Sequence, residues 1–166
     1  MAIYGIDYGH TLSGADTGAV GNGFKEQEVT RAIGKLVTSK LKALGHTVIE
    51  CACDSASNVS SSLAYRTNKA NDANVDLFIS IHVNAGGGSG TEVYTYGGHE
   101  VSEARAILNN IVSLGFRNRG IKDGSSLYVI RNTKMKSMLI ETFFIDTNDT
   151  EKYKRVGAEN IANAIV

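Results

Sequence analysis

The segment SIHVNAGGGSG, residues 80–90, ends the apolar run Val75–Ile79 in a histidine, an asparagine and a cluster of glycines. A histidine on a buried strand is costly unless its ring nitrogens have partners. It can be a core residue bonded to a carbonyl, a metal ligand or a catalytic base. Two other ionisable residues stand in matching places: His10 follows the segment Ala2–Tyr8, and Glu141 lies in SMLIETFF, residues 137–144. Singly, each has a plain reading, as a core imidazole or as a carboxylate that is solvated or caps a helix. Together they form a set able to hold a divalent cation and move a proton. Catalytic zinc commonly takes three protein ligands, such as two His and one Glu, and keeps a fourth position open. The missing carboxylate is expected near the long loop after His10, where GNGFKEQEVTR offers Glu26 and Glu28. Both also fit the role of acids that complement a helix dipole or close a capping box. Helix position does not choose between them.

The elements that would position these side chains follow from periodicity. Ala2–Tyr8 alternates as a strand, and GHTLSGADTGAVGNG is a long polar loop of the kind that often carries function. From Phe24 to Leu44, Val29, Ile33, Leu36, Val37, Leu41 and Leu44 recur at helical spacing, closed by Gly45. HTVIECA, Val75–Val83, TEVYTY, LYVI at 127–130 and SMLIETFF read as further strands. Helices are expected over Ser60–Asn74, capped by Ser60, Ser61 or Ser62, over Glu100–Leu114, and from Asp149 to the end. Strands alternating with helices predict one α/β domain with a mostly parallel sheet and helices on both faces. In such sheets ligands bind beyond the carboxyl ends of the strands, where His10, His82 and Glu141 would meet. On the third strand, Leu77, Ile79, Ile81 and Val83 share one face, and Phe78, Ser80, His82 and Asn84 the other. The glycines after His82 are not a phosphate loop. They precede a strand, and no Gly-Lys-Ser/Thr ending follows.

Composition narrows the class. Lys+Arg and Asp+Glu both total 17, so the formal charge is zero and the chain lacks the basic footprint of a nucleic-acid binder. No apolar run is long enough to span a membrane, and MAIYGIDYGH has no basic-then-apolar signal pattern. Cys51 and Cys53 are too close in sequence for an unstrained disulfide and read as buried free thiols of a reducing compartment. Arg66 reads as half of a structural ion pair, and His46 and His99 as exposed. The helical pattern GAENIANAIV runs to Val166 without a cap, which suggests a domain from a longer protein.

Four segments carry a resemblance to a known family: IDYGHT, GAVGNGFKEQEV, NVDLFISIHVNAG with GTEVYTY, and NRGIKDGSSLYVIRNTKMKSMLIETFFIDT. In this order they resemble the type 3 zinc-dependent N-acetylmuramoyl-L-alanine amidases, especially catalytic domains of phage endolysins of Gram-positive hosts. The resemblance implies Zn2+ held by His10, Glu26 and His82, with Glu26 preferred over Glu28 as the first acid after the GNGxK stretch. It implies Glu141 as the catalytic acid/base and a mixed sheet of about six strands. It implies hydrolysis of the amide between N-acetylmuramic acid and L-alanine of peptidoglycan, by a monomer made in the host cytoplasm that acts on the wall after release. A C-terminal wall-binding domain is expected beyond residues 1–166. A zinc peptidase acting within the stem peptide and a non-catalytic wall-binding module are the competing readings. Two departures from the family pattern, no proline before the last strand and Thr11 after the first histidine, bear on loop shape and substrate contacts. Arg131 and Asn132 are candidates for contact with peptide or sugar.

Overall fold

The computed structural model describes residues 1–166. In chain order its main elements are β1 (Ile3–Tyr8), α1 (Glu26–Ala43), β2 (Thr47–Glu50), α2 (Val59–Asp72), β3 (Leu77–Asn84), β4 (Thr91–Thr95), α3 (Ser102–Val112), β5 (Asn118–Asp123), α4 (Tyr128–Arg131), β6 (Lys136–Phe144) and α5 (Asp149–Ile165). The six strands form one sheet in the order β2-β1-β3-β6-β4-β5. The first four are mutually parallel; β4 runs antiparallel to β6, and β5 runs parallel to β4. The carboxyl ends of β1, β3 and β6 therefore share one edge with the amino ends of β4 and β5.

The alternation along β3 sorts side chains as the sequence predicts. Ile79, Ile81 and Val83 join Ile6, Met138 and Ile140 under α1, α3 and α5. Phe78 and Leu139 face the other way, with Cys51, Ala70, Val129 and Ile130 beneath α2 and α4. Helices thus cover both faces of a mixed, mostly parallel sheet. Both cysteines are free and buried.

Three local expectations need correction. LYVI is not a strand: α4 carries it, with the Arg131 N–H donating to the Leu127 carbonyl at 2.9 Å. Val129 and Ile130 are neighbours that enter the same apolar cluster, which a strand's alternation forbids and a helical turn allows. The strand β5, NRGIKD, was not expected at all. It lies at the sheet edge, has no fully buried residue, and has Ile121 as its one apolar side chain. Helix α2 is capped by Asn58, whose side chain accepts from the Ser61 N–H at 2.8 Å, rather than by a serine.

The expected ion pair of Arg66 is buried and central. Arg66 Nη1 donates to Asp7 Oδ1 at 2.6 Å and to the Tyr8 carbonyl at 2.7 Å, and Ser80 donates to the second Asp7 oxygen. This ties α2 to the end of β1 and the middle of β3, beneath the edge where the histidines emerge. Removing one partner strands a charge among apolar groups. Arg66→Met is expected to lower unfolding free energy by about 3–5 kcal/mol in urea titration. Asp7→Asn combined with Arg66→Met should cost less than Arg66→Met alone.

Candidate metal and catalytic site

The backbone at His10 is left-handed, with φ 65°, a conformation that few residues other than glycine adopt. It turns the ring back over the sheet edge. Gly9 makes room: a Cβ there would lie 2.5 Å from the His82 ring. Gly18 does the same for Glu26, where an added Cβ would fall 2.7 Å from the Glu26 side chain.

Glu26 is the first residue of α1, yet it caps nothing with its side chain. It is 4% exposed and points under the loop instead. Its Oε1 lies 3.2 Å from His10 Nε2 and 3.2 Å from His82 Nδ1, and accepts from the Val83 N–H at 3.1 Å. Its Oε2 accepts from the Ala19 N–H at 2.9 Å. One candidate ligand atom from each of His10, Glu26 and His82 lies within 4.8 Å of the others. Glu28 sits outside this group, exposed beside Lys25. Of the two acids the sequence left open, only Glu26 joins the histidines.

The His10 Nδ1 lies 3.2 Å from the Asp16 carbonyl, which can only accept, and 3.3 Å from Asp16 Oδ1. Nδ1 therefore carries a proton, and the Nε2–H donates to Glu26; a cation held at this place would take the Nε2 lone pair instead of that proton, with Nδ1–H still fixed by Asp16. Asp16 is in turn held by the Ser62 hydroxyl at 2.6 Å. Sequence reasoning missed Asp16, because one acid in a polar loop has no period or spacing to mark it.

These groups perturb one another. Burial would raise the Glu26 carboxyl, but hydrogen bonds from His10 and His82 outweigh it and hold the acid far below its usual range. Burial would lower His10, but Glu26 and Asp16 lift it to about 9. A site that concentrates this much interaction on one carboxylate and two imidazoles suits a cation as third party.

Glu141 stands beside the cluster, paired in register with His82 on the neighbouring strand. Its Oε2 is shut off from solvent and has no hydrogen-bond partner. Burial pushes its pKa up to about 7, with Glu26 and Glu92 adding and His82 and His10 opposing. A buried carboxylate oxygen without a partner costs free energy unless something fills that place. Next to the cluster opens a cavity of about 280 Å³, lined by His10, Asp16 and His82 on one side and by Ser126, Leu127 and Tyr128 on the other.

The family model for N-acetylmuramoyl-L-alanine amidases matches residues 5–166. The chain belongs to this family. It is 38% identical over 170 residues to the N-acetylmuramoyl-L-alanine amidase LytC of Bacillus subtilis, covering 96% of this chain and 33% of LytC. It is 36% identical over 153 residues to the endolysin of Bacillus phage SPP1, covering 87% of this chain and 55% of the endolysin. The chain thus spans a third to just over half the length of these two relatives. Among solved structures, the catalytic domain of the CD27L endolysin, described as targeting Clostridia difficile, superposes with TM-score 0.88 at 29% identity, covering 99% of this chain and 94% of that one.

Other expected site residues separate from this cluster. Arg131 lines a different cavity, with Lys136 and Ser137 at the opposite end of β6, and the Asn132 carbonyl accepts from Asn71. The wall beside the cluster comes from Ser126–Tyr128, a few residues earlier. Thr11 is fully buried and donates its N–H to the Asp16 carbonyl, so it shapes the loop. His99 is exposed as expected, whereas His46 is half-buried, packing edge-on against Tyr4 and accepting from the Ala2 N–H.

Proposed function

We propose that this chain hydrolyses the amide between the lactyl group of N-acetylmuramic acid and L-alanine in peptidoglycan, with zinc held by His10, Glu26 and His82. The observation that carries the reading is the gathering of these three ligand groups within 4.8 Å, with Glu141 in register beside them, in a chain of this family. Two imidazoles and a carboxylate suit zinc, and a three-residue set leaves a position open. Zinc bound there supplies Lewis acidity toward water and the amide carbonyl.

The chain's own residues do the rest. Asp16 fixes the His10 ring so that Nε2 faces the cation site. Glu141 takes a proton from the attacking water at its unpartnered Oε2 and returns it to the departing nitrogen. The C–N bond breaks as the new C–O bond forms, leaving a carboxylate on the lactyl group and a free amine on alanine. An amine leaves poorly unless protonated, so one carboxyl group that takes the proton and returns it serves both transfers. The cavity walled by Ser126–Tyr128 holds the substrate beside the cluster and limits competing water. No helix is long and apolar enough to cross a membrane.

The test is digestion of purified wall with and without a chelator. The expected result is new alanine amino termini, intact sugar strands, loss of activity on chelation and recovery with added zinc. New amino termini from other stem residues would mean a peptidase. Wall binding with no new termini would mean a binding module.

A further inference from the structure

His82, Glu141 and Glu92 form a row across the three adjacent strands β3, β6 and β4, each paired in register with the next, so that their side chains share one face. Arg119 on β5 extends the row, because its Nε donates to Glu92 Oε2 at 2.9 Å. Glu92 is 3% exposed, and its other oxygen accepts from Asn84 Nδ2 at 3.0 Å and from the Tyr94 hydroxyl at 2.9 Å. The Arg119 guanidinium also lies over the Phe144 ring, 4.9 Å from its centre. A register shift in β5 opposite Thr91–Val93 allows this residue to reach the face that carries Glu141.

Arg119 is therefore fixed at one end and unoccupied at the other. Arg31 and Arg66 direct their terminal nitrogens to protein acceptors. Arg119 bonds only through Nε, and its side chain is 31% exposed. A guanidinium held by an acid on its Nε side and by an aromatic face keeps its terminal N–H groups free and restrained, and such a fork suits a carboxylate.

Resting on the amidase reading above, we propose that Arg119 binds a carboxylate of the stem peptide and so favours acidic over amidated stems. The muramoyl half of the substrate has its carboxyl group tied up in the scissile amide, so the carboxylate must come from the peptide half. Strands lie about 4.8 Å apart and an extended peptide advances about 3.3 Å per residue. Two strand spacings, from His82 to Glu92, thus correspond to roughly three residues, which places the bound carboxylate on the second or third stem residue.

The probes are synthetic N-acetylmuramoyl peptides beginning with L-alanine, with a free carboxylate or its carboxamide at the second residue, or at the third. Binding is measured by calorimetry to zinc-loaded protein carrying Glu141→Gln, which keeps the ligands intact. One of the two positions should show the carboxylate binding at least about 10-fold tighter than the carboxamide. Adding Arg119→Gln should erase that difference while leaving carboxamide binding within about twofold. Because that change also leaves Glu92 buried without its cation, Glu92→Gln with Arg119→Gln is measured alongside and should give the same equality. Equal binding of acid and amide to the Arg119 protein at both positions would overturn the proposal. So would an equal weakening of both ligands by Arg119→Gln and by the pair, which would mark Arg119 as only a partner for Glu92. Failure of the amidase reading shows separately, as absence of cleavage by the protein with Glu141 intact.

Discussion

Glu141→Gln is expected to give a folded protein that binds one zinc and binds wall as the parent does, but turns wall over at least about 10²-fold more slowly. Glutamine keeps the size and polarity of the side chain and cannot accept the proton of water. The buried, partnerless Oε2 beside the cluster makes the parent acid suited to take and return that proton. The register pairing with His82 puts it beside the cluster without making it one of the three ligand groups. The measurement is wall turnover with zinc content determined on the same preparation. A fall in zinc along with the rate would make Glu141 a ligand. Normal turnover with normal zinc would remove it from the mechanism.

Legibility in the sequence followed the range of the interaction involved. Helix α1 and strands β3 and β6 were readable because their apolar residues repeat at the period of a buried face, and burial is what stabilises them. The same pattern carried His82 and Glu141, since each occupies a fixed place on such a strand. LYVI was misread because four apolar residues in a row fit one helical turn as well as a short strand, and packing under α2 decides between them. NRGIKD gave no strand signal because an edge strand needs little apolar surface; its ladder to β4 is a long-range fact. The supporting polar groups were the least legible. Asp16, Glu92 and Arg119 come from a loop and from strands that meet the parallel half of the sheet only through the reversal at β4, and nothing local marks any of them. The choice between Glu26 and Glu28 belongs to the same class. Two acids one turn-start apart look alike until the fold shows which of them the helix turns inward.

That choice yields the other large effect. Glu26→Ala is expected to weaken zinc binding by more than about 10²-fold, beyond the 10–100-fold typical of removing an outer partner of a ligand. Glu28→Ala should leave zinc binding unchanged and alter stability by no more than about 0.5 kcal/mol, since its 3.6 Å pairing with Lys25 is solvent-exposed. Alanine at position 26 also frees the Ala19 and Val83 N–H groups, so lost zinc could reflect a rearranged loop instead of a lost ligand. Glu26→Gln separates the two: its side-chain oxygen can still accept one of these hydrogen bonds, but the negative charge between His10 and His82 is gone. If the charge holds the metal, Glu26→Gln should bind zinc nearly as poorly as Glu26→Ala while unfolding at a denaturant concentration closer to the parent. Zinc retained at parental affinity by Glu26→Gln, or lost equally in Glu28→Ala, would move the third ligand away from Glu26. The readouts are zinc titration against a competing chelator and urea unfolding of the metal-free proteins, because metal bound to the native state would itself add stability and mask the comparison.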